Sequence, residues 1–141
     1  MSPPYLPPKL ATAPAYTLVL DLDETLIHYV DGNHHSGEDA DVSLEAEQNE
    51  DDSCFYIRPG LNKFLTELSD HYELVLYTAA MRDYADYFLS QIDHKKLFSH
   101  ILTREHCQFE IDQVYAIKDL RLIGRDLTKT IIVDNIADNF M

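Results

Sequence analysis

Three residues that could do chemistry stand close together near the start of the chain: Asp21, Asp23 and Thr25, in the sequence DLDET. Residues 17–20 before them are apolar or β-branched without alternation, which predicts a strand buried on both faces. Because carboxylates are costly to bury inside a sheet, the two acids must lie where the strand emerges at its carboxyl end. Side chains two positions apart on extended backbone point the same way, so the pair predicts a cation between the two charges.

Polar residues also follow three later apolar segments, at residues 73–77, 114–117 and 130–133. The segments at 73–77 and 130–133 predict two further strongly buried strands. Because the carboxyl ends of parallel strands lie on one edge of a sheet, we expect these polar side chains to meet Asp21 there. They are Thr78, Lys118, Asp134 and Asn135.

The elements between these segments predict the fold class. Residues 61–68 and 81–92 carry apolar side chains at the spacing of amphipathic helices, and a short apolar run follows at residues 100–103. The order strand, helix, strand, helix, strand is typical of an α/β protein with a central parallel sheet and right-handed crossovers.

The collected side chains favour one kind of chemistry. Three carboxylates, an amide, two hydroxyls and one ammonium, without a His or Cys cluster, suit Mg²⁺ better than zinc. A cation, an ammonium and hydroxyl donors facing one point form a cradle for a phosphoryl group, which predicts phosphoryl transfer. Asp21 could then attack phosphorus, and Asp23 could protonate the leaving oxygen and later take a proton from water.

Length and charge limit the domain count and the partners. A chain of 141 residues is long enough for a single domain with its own core. The net charge of −14 argues against direct nucleic-acid binding, and the absence of a membrane-length apolar run argues against a membrane partner. We expect a nuclear or cytoplasmic protein, since no secretory or transit signal is visible.

Two segments differ in composition from the rest. Residues 1–15 hold five of the six prolines, which predicts an extended, poorly packed arm before a domain at 16–141. Residues 31–53 hold nine acids and no Lys or Arg, which predicts an acidic surface loop or flap.

Four motifs resemble those of the haloacid dehalogenase superfamily: DLDET, LYTAA, AIKDL with LIGRDL, and IIVDN. More narrowly, they resemble the small C-terminal-domain phosphatases, or NLI-interacting-factor-like phosphatases, over residues 16–141. The resemblance implies a Rossmann-like three-layer fold with a central parallel sheet. It also implies an Mg²⁺-dependent protein serine/threonine phosphatase that works through an aspartyl-phosphate.

The resemblance implies roles for the matched residues as well. Asp21 matches the nucleophile and Asp23 the general acid and base, and both also bind the metal, Asp23 through its backbone carbonyl. The other implied roles are metal binding by Asn135 with support from Asp134, phosphate binding by Thr78 and Lys118 beside the Thr25 hydroxyl, and substrate binding by Arg104.

The implied substrate is a phosphoprotein or phosphopeptide, since family members hydrolyse phosphoserine or phosphothreonine, including that of the C-terminal tail of RNA polymerase II. Residues 31–53 stand where small C-terminal-domain phosphatases build an apolar pocket for proline, and they are acidic here. This argues against a Ser-Pro preference and predicts repulsion of acidic phosphopeptides, screened by salt.

The chain stops soon after IIVDN, whereas the superfamily continues with a further strand and helix. We therefore expect the strand at 130–133 to form a sheet edge, and the chain to be a truncated form.

Two other kinds of protein carry similar residues. A phosphoacceptor receiver domain orders its acids, Thr and Lys differently. A non-catalytic binding or scaffold module on the same fold, like a mitochondrial translocase receptor or a domain made inert by truncation, stays open.

Overall fold

The structure is a computed structural model that describes residues 1–30, 54–111 and 115–140. The acidic segment at 31–53 and part of the apolar run at 114–117 therefore lie outside the described residues. The described helices and strands are β1 (Tyr16–Leu20), β2 (Ile27–Val30), β3 (Cys54–Ile57), α1 (Leu61–Ser69), β4 (Tyr72–Tyr77), α2 (Arg82–Ile92), β5 (His100–Leu102) and β6 (Thr130–Val133).

A four-stranded parallel sheet in the order β5–β4–β1–β6 forms the centre of the fold. Leu20, the last residue of β1, lies opposite Leu76 on one side and Val133 on the other. Strands β4, β1 and β6 therefore end at nearly the same level, and the polar residues that follow them emerge at one edge of the sheet. The predicted α/β class and parallel sheet are confirmed.

Both α-helices pack on one face of this sheet. The β1–α1–β4 and β4–α2–β5 crossovers proceed in the same direction across the sheet, so right-handed connections place both helices on the same side. The core on this side unites Leu18 and Leu20 of β1 with Leu65 of α1 and Phe88 of α2. Each fully buried side chain of this size contributes roughly 1.5–3 kcal/mol. The helices predicted from the apolar spacing are thus confirmed.

The other face is covered by extended chain and 3₁₀ turns. The connection from β5 to β6 runs back across the sheet in the opposite direction, so it passes over this face. Ile123 from this connection packs with Val19 and Val75, whose side chains alternate with those of the helix face. This connection also carries Lys118 toward the sheet edge.

The N-terminal arm is extended, but the prediction that it is poorly packed is wrong. Leu6 is only 4% exposed and belongs to the core of the second face. The backbone amides of Tyr5 and Leu6 donate to the carbonyls of Leu122 and Ile123 at 3.0 and 3.1 Å. Gly124 follows with φ of +83°, and a Cβ there would lie 2.8 Å from Pro4. The proline-rich composition led to the prediction of an unpacked arm. Tyr5 and Leu6 stand among the prolines, carry apolar side chains and retain the backbone N–H that proline lacks.

Strand β6 is less buried than its apolar sequence predicts. It lies at one end of the described sheet, as expected for an edge, and its side chains alternate between half-buried and exposed. Ile131 and Val133 are 46% and 43% exposed. The expectation of a strongly buried strand is therefore wrong for the described residues, because only β1 pairs with β6 there.

An antiparallel pair of strands, β2 and β3, was not anticipated from the sequence. Ile27 lies opposite Ile57, and Tyr29 lies opposite Phe55. Ile27 and Phe55 are each 2% exposed and join the core on the helix face. Each strand has only four residues and a long polar sequence separates the two, so the alternation of apolar side chains was too short to identify.

Across the described residues, no helix has the length and apolar character needed to cross a membrane.

A buried ion pair lies away from the sheet edge that carries Asp21, toward the amino end of β4. The Arg125 guanidinium donates to both carboxylate oxygens of Glu73 at 2.8 and 3.0 Å, and each side chain is 4% exposed. Thr17 also donates to Glu73, and Arg125 donates to the carbonyl of Pro7. Burial alone would raise the pKa of Glu73, but the bonds from Arg125 outweigh it and hold the pKa below its ordinary value. The pair thus links the arm, β4 and the final connection.

We expect Glu73→Gln to lower the free energy of unfolding at neutral pH by about 3–5 kcal/mol, because it leaves a buried guanidinium without its charge partner. A depressed carboxyl pKa stabilises the fold above the unfolded-state value, and this contribution is lost as pH falls through that value toward the folded one. The parent should therefore lose stability below pH 4.5, the ordinary pKa of Glu. The variant should lose less over the same range.

Urea unfolding followed by circular dichroism at several pH values measures both effects. Asp86→Asn is the matched control, since Asp86 pairs with Arg82 while about half exposed. It should change stability by under about 1 kcal/mol. Equal losses in the two variants would contradict a special role for the buried pair.

Candidate active site

A buried lysine joins two carboxylates at the carboxyl edge of the sheet. Lys118 Nζ donates to Asp21 Oδ1 at 2.7 Å and to Asp134 Oδ2 at 2.5 Å. The Lys118 side chain is 1% exposed and that of Asp134 is fully buried. Asp21 follows β1 and Asp134 follows β6, and the Asp21 amide donates to the Val133 carbonyl at 3.0 Å. The structure therefore brings together three residues that are distant in sequence.

The electrostatic balance of this cluster leaves excess negative charge. Burial raises the pKa of Asp21, while the Lys118 ammonium opposes that rise and the nearby Asp134 carboxylate adds to it. One ammonium faces two carboxylates, so an additional cation would complete the neutralisation.

The turn after β1 places Thr25 against Asp21. Thr25 Oγ1 donates to Asp21 Oδ2 at 3.2 Å. Glu24 adopts a left-handed conformation with φ of +62°. The Arg58 guanidinium, just before α1, donates to the carbonyls of Thr25 and Glu24 at 2.6 and 3.3 Å. This charge-assisted pair of bonds holds the turn in a conformation that a non-glycine residue rarely adopts.

Asp23 lies in a different environment from Asp21. It is only partly buried, and its Oδ1 accepts a hydrogen bond of 2.7 Å from the Tyr84 hydroxyl of α2. Burial and the neighbouring Asp23 carboxylate both raise the pKa of Tyr84, so its hydroxyl remains a donor at neutral pH. The two acids of the DLDET motif therefore have a charged partner and a neutral partner respectively.

The segment after β6 orders Asp134 and places Asn135 on a cavity. Asp134 Oδ1 accepts from the Ile136 amide at 3.0 Å and from Asn139 Nδ2 at 3.4 Å. The carbonyl of Asn139 accepts from the Lys118 amide at 2.5 Å. Asp134 thus has protein donors on both oxygens, whereas Asn135 is exposed.

A cavity of about 410 Å³ adjoins these residues. Its polar rim includes Thr25, Arg58, Asp134 and Asn135, and its remaining wall is largely apolar, with Phe64 of α1. The cavity leaves space beside Asp134 and Asn135, whereas Asp21 and Asp23 are not among the residues that line it.

Thr78 follows β4, the strand next to β1, whereas Arg104 follows β5, one strand farther away. Thr78 is 1% exposed, and its hydroxyl accepts from the Ala80 amide at 3.1 Å. Arg104 is exposed, donates to the Ala79 carbonyl at 3.3 Å and lies 4.5 Å from the centre of the Phe109 ring. Within the described part of the chain, neither side chain bonds directly to Asp21 or Lys118.

The donor set fits a hard divalent cation at the edge of the sheet. Carboxylate, amide and carbonyl oxygens are the ligands that Mg²⁺ prefers, and the excess negative charge favours a cation there. The family resemblance implies Asp21, the Asp23 carbonyl and Asn135 as the ligands. Both oxygens of Asp21 accept from protein donors, Lys118 and Thr25, just as both oxygens of Asp134 do. In residues 1–30, 54–111 and 115–140, no three His, Cys, Asp or Glu side chains cluster as a metal site. The fit therefore depends on the backbone carbonyl and the amide as well.

Three residues of this site were not identified as such from the sequence: Tyr84, Arg58 and Asn139. Tyr84 has the spacing of an apolar helix face, and Arg58 stands in an Arg-Pro-Gly turn sequence, so the local sequence indicates a structural role for each. Only tertiary contact shows that their polar atoms reach the turn after β1. The polar hydroxyl of a tyrosine on an otherwise apolar stripe was the one available signal.

Comparisons with known proteins agree with this geometry. The sequence profile of the NLI interacting factor-like phosphatases matches residues 16–141. The chain is 38% identical over 120 residues to human carboxy-terminal domain RNA polymerase II polypeptide A small phosphatase 2, covering 84% of this chain and 42% of that protein. It is 35% identical over 143 residues to CTD small phosphatase-like protein 2 of Dictyostelium discoideum, covering 99% of this chain and 24% of that protein.

A solved structure is also similar. The fission yeast RNA polymerase II CTD phosphatase Fcp1, in a variant bound to beryllium fluoride, matches with a TM-score of 0.65 and 28% identity, over 89% of this chain and 38% of that one. The chain thus spans less than half the length of each of these relatives. Because the family profile covers nearly all of the described residues, and the fold matches that of Fcp1, the chain belongs to the NLI interacting factor-like phosphatase family of the haloacid dehalogenase superfamily.

Proposed function

We propose that this domain is an Mg²⁺-dependent protein serine/threonine phosphatase that works through an aspartyl-phosphate on Asp21. The observation that carries the proposal is the Lys118 ammonium, buried 2.7 Å from Asp21 Oδ1 and bonded also to Asp134. A fixed positive charge at this point can stabilise the negative oxygens of a phosphoryl group beside the attacking carboxylate.

The substrate phosphate binds at the carboxyl edge of the sheet in this proposal. Lys118 and the Thr25 hydroxyl contribute donors next to Asp21. Thr78 follows β4, the strand next to β1, and can turn its hydroxyl proton toward the phosphate, since its oxygen already accepts from the Ala80 amide. When bound, Mg²⁺ supplies a positive charge that neutralises phosphate oxygens and the excess charge of the two carboxylates.

The chemical steps divide between the two acids of the DLDET motif. Asp21 attacks phosphorus and the bond from phosphorus to the leaving oxygen breaks, while Asp23 gives a proton to that oxygen. Asp23 then takes a proton from the water that hydrolyses the aspartyl-phosphate. Asp134 holds Lys118 and Arg58 holds the turn, so neither needs to touch the substrate.

A phosphoserine or phosphothreonine protein is the proposed substrate class. The family names support this class, and the relatives named above include RNA polymerase II CTD phosphatases. A nuclear or cytoplasmic location fits such a substrate. Arg104 is exposed and donates to the Ala79 carbonyl in the loop after Thr78, and it is the proposed contact for a bound peptide.

Replacing the nucleophile should abolish catalysis. We expect Asp21→Asn to lower the rate of aryl phosphate hydrolysis in the presence of Mg²⁺ by several decades, since a nucleophile supplies most of the rate enhancement. Asp86→Asn, an exposed carboxylate on α2, is the control and should keep the parental rate. Comparable rates in Asp21→Asn and the parent would overturn the mechanism. No turnover in the parent itself would favour the non-catalytic binding module.

Removing the proposed amide ligand should change the metal requirement. We expect Asn135→Ala to raise the Mg²⁺ concentration for half-maximal activity by about 10-fold or more, in the range seen when a metal site loses a supporting group. Asn62→Ala, an exposed asparagine of α1, should leave it unchanged. Titration of a chelated sample with Mg²⁺ measures this, and identical titrations for both variants would exclude Asn135 as a ligand.

Peptide charge should influence the rate because residues 31–53 hold nine acids and no Lys or Arg. We expect a phosphoserine peptide with basic flanking residues to give a higher kcat/KM than an acidic peptide of the same length. The ratio should fall with salt, because the Debye length shortens from about 10 Å at 0.1 M to about 3 Å at 1 M. A ratio that does not change with salt would rule out an electrostatic preference.

A further inference from the structure

Tyr84 donates a hydrogen bond to one carboxylate oxygen of Asp23, the proposed general acid. Its hydroxyl donates to Asp23 Oδ1 at 2.7 Å, across 61 residues of sequence. The hydrogen bonds of the described residues give Asp23 no other side-chain partner. The second oxygen, Oδ2, is therefore the one available to the substrate.

The Tyr84 ring is held in a way that fixes its hydroxyl. It packs against Phe88, one turn later in α2, with ring centres 4.6 Å apart, and lies edge-on to Tyr29 of β2 at 6.4 Å. Phe88 is itself 2% exposed and contacts Phe55 of β3 at 4.8 Å. The hydroxyl thus projects from a packed aromatic group, formed by α2 and the β2–β3 pair, toward the turn after β1.

A general acid needs a proton, and the oxygen that carries this proton must be oriented toward the leaving group. A carboxylic acid carries its proton on one oxygen, and transfer is efficient only when that oxygen lies within hydrogen-bond reach of the leaving group. A donor fixed on Oδ1 leaves that oxygen as an acceptor, so the proton of Asp23 resides on Oδ2. It also restricts rotation of the carboxyl group, which would otherwise exchange the two oxygens.

We propose that Tyr84 is a positioning residue that directs the transferable proton of Asp23 to Oδ2 and holds that oxygen toward the leaving group. This inference rests on the phosphatase function proposed above. In the reaction, the Oδ2 proton moves to the leaving oxygen as its bond to phosphorus breaks, and Tyr84 keeps its own proton throughout.

The leaving group provides a selective test. A nitrophenolate departs readily without a proton, whereas a phenolate, a more basic leaving group, needs one more. We expect Tyr84→Phe to lower kcat/KM about tenfold for phenyl phosphate and less than about threefold for para-nitrophenyl phosphate, since general acid catalysis is worth about 10²–10⁴-fold and only its alignment is lost. Both substrates are measured on one enzyme preparation with Mg²⁺, so the ratio does not depend on the folded fraction.

Tyr87→Phe is the matched control, because Tyr87 lies on the same helix and contacts Phe88 at 5.0 Å. It should keep the parental ratio between the two substrates. In the background of Asp23→Asn, adding Tyr84→Phe should have no further effect on phenyl phosphate, because the group through which Tyr84 acts is already gone.

Equal losses on the two substrates, or independent losses in the double variant, would overturn the positioning role and indicate general packing instead. The proposed function fails separately, through full activity in Asp21→Asn. A parental ratio in Tyr84→Phe, with Asp21→Asn inactive, would leave the phosphatase function intact and reject only the inference about Tyr84.

Discussion

The Lys118 ammonium between Asp21 and Asp134 is the interaction on which the rest of the site depends. Each of these charges is almost completely buried, and a buried charge without a partner is strongly destabilising. The three side chains come from β1, from β6 and from the connection between β5 and β6. Strand register, crossover direction and the course of the connection must therefore all be correct before this cluster can form.

Sheet topology supplies that constraint. Because β1 lies between β4 and β6, the residues after three parallel strands emerge side by side. Both helices pack on one face, which leaves the other face for the connection that delivers Lys118. The arm packs over that second face through Leu6, and the Glu73–Arg125 pair secures it away from the reactive edge. The Glu73–Arg125 pair thus stabilises the fold, whereas the separate Lys118 cluster forms the site at the reactive edge.

The sequence predicts the parts of this molecule that rest on local pattern. Two buried strands around Leu20 and Leu76 and both helices follow from apolar spacing. Three motifs at strand ends and a fourth around Lys118, which lies in the β5–β6 connection, are sufficient to name the family. The half-exposed β6 and the packed Leu6 could not be predicted, because burial depends on which neighbour covers a segment. The β2–β3 pair joins segments too short to show a period, and the Tyr84 contact depends on tertiary packing that the helical spacing of Tyr84 does not reveal. The site is therefore predicted by residue identity, whereas its supporting contacts are not.

The two acids of the DLDET motif lie in two different environments, which suit the two roles proposed for them. Asp21 is buried against an ammonium, which favours its charged, nucleophilic form against the burial that raises its pKa. Asp23 is two residues away, partly exposed, and accepts a hydrogen bond from the neutral Tyr84 hydroxyl. In the proposed mechanism, one of these environments serves the attacking carboxylate and the other serves the group that gives and accepts a proton. The turn held by Arg58 separates these environments, and this separation is what the fold must preserve.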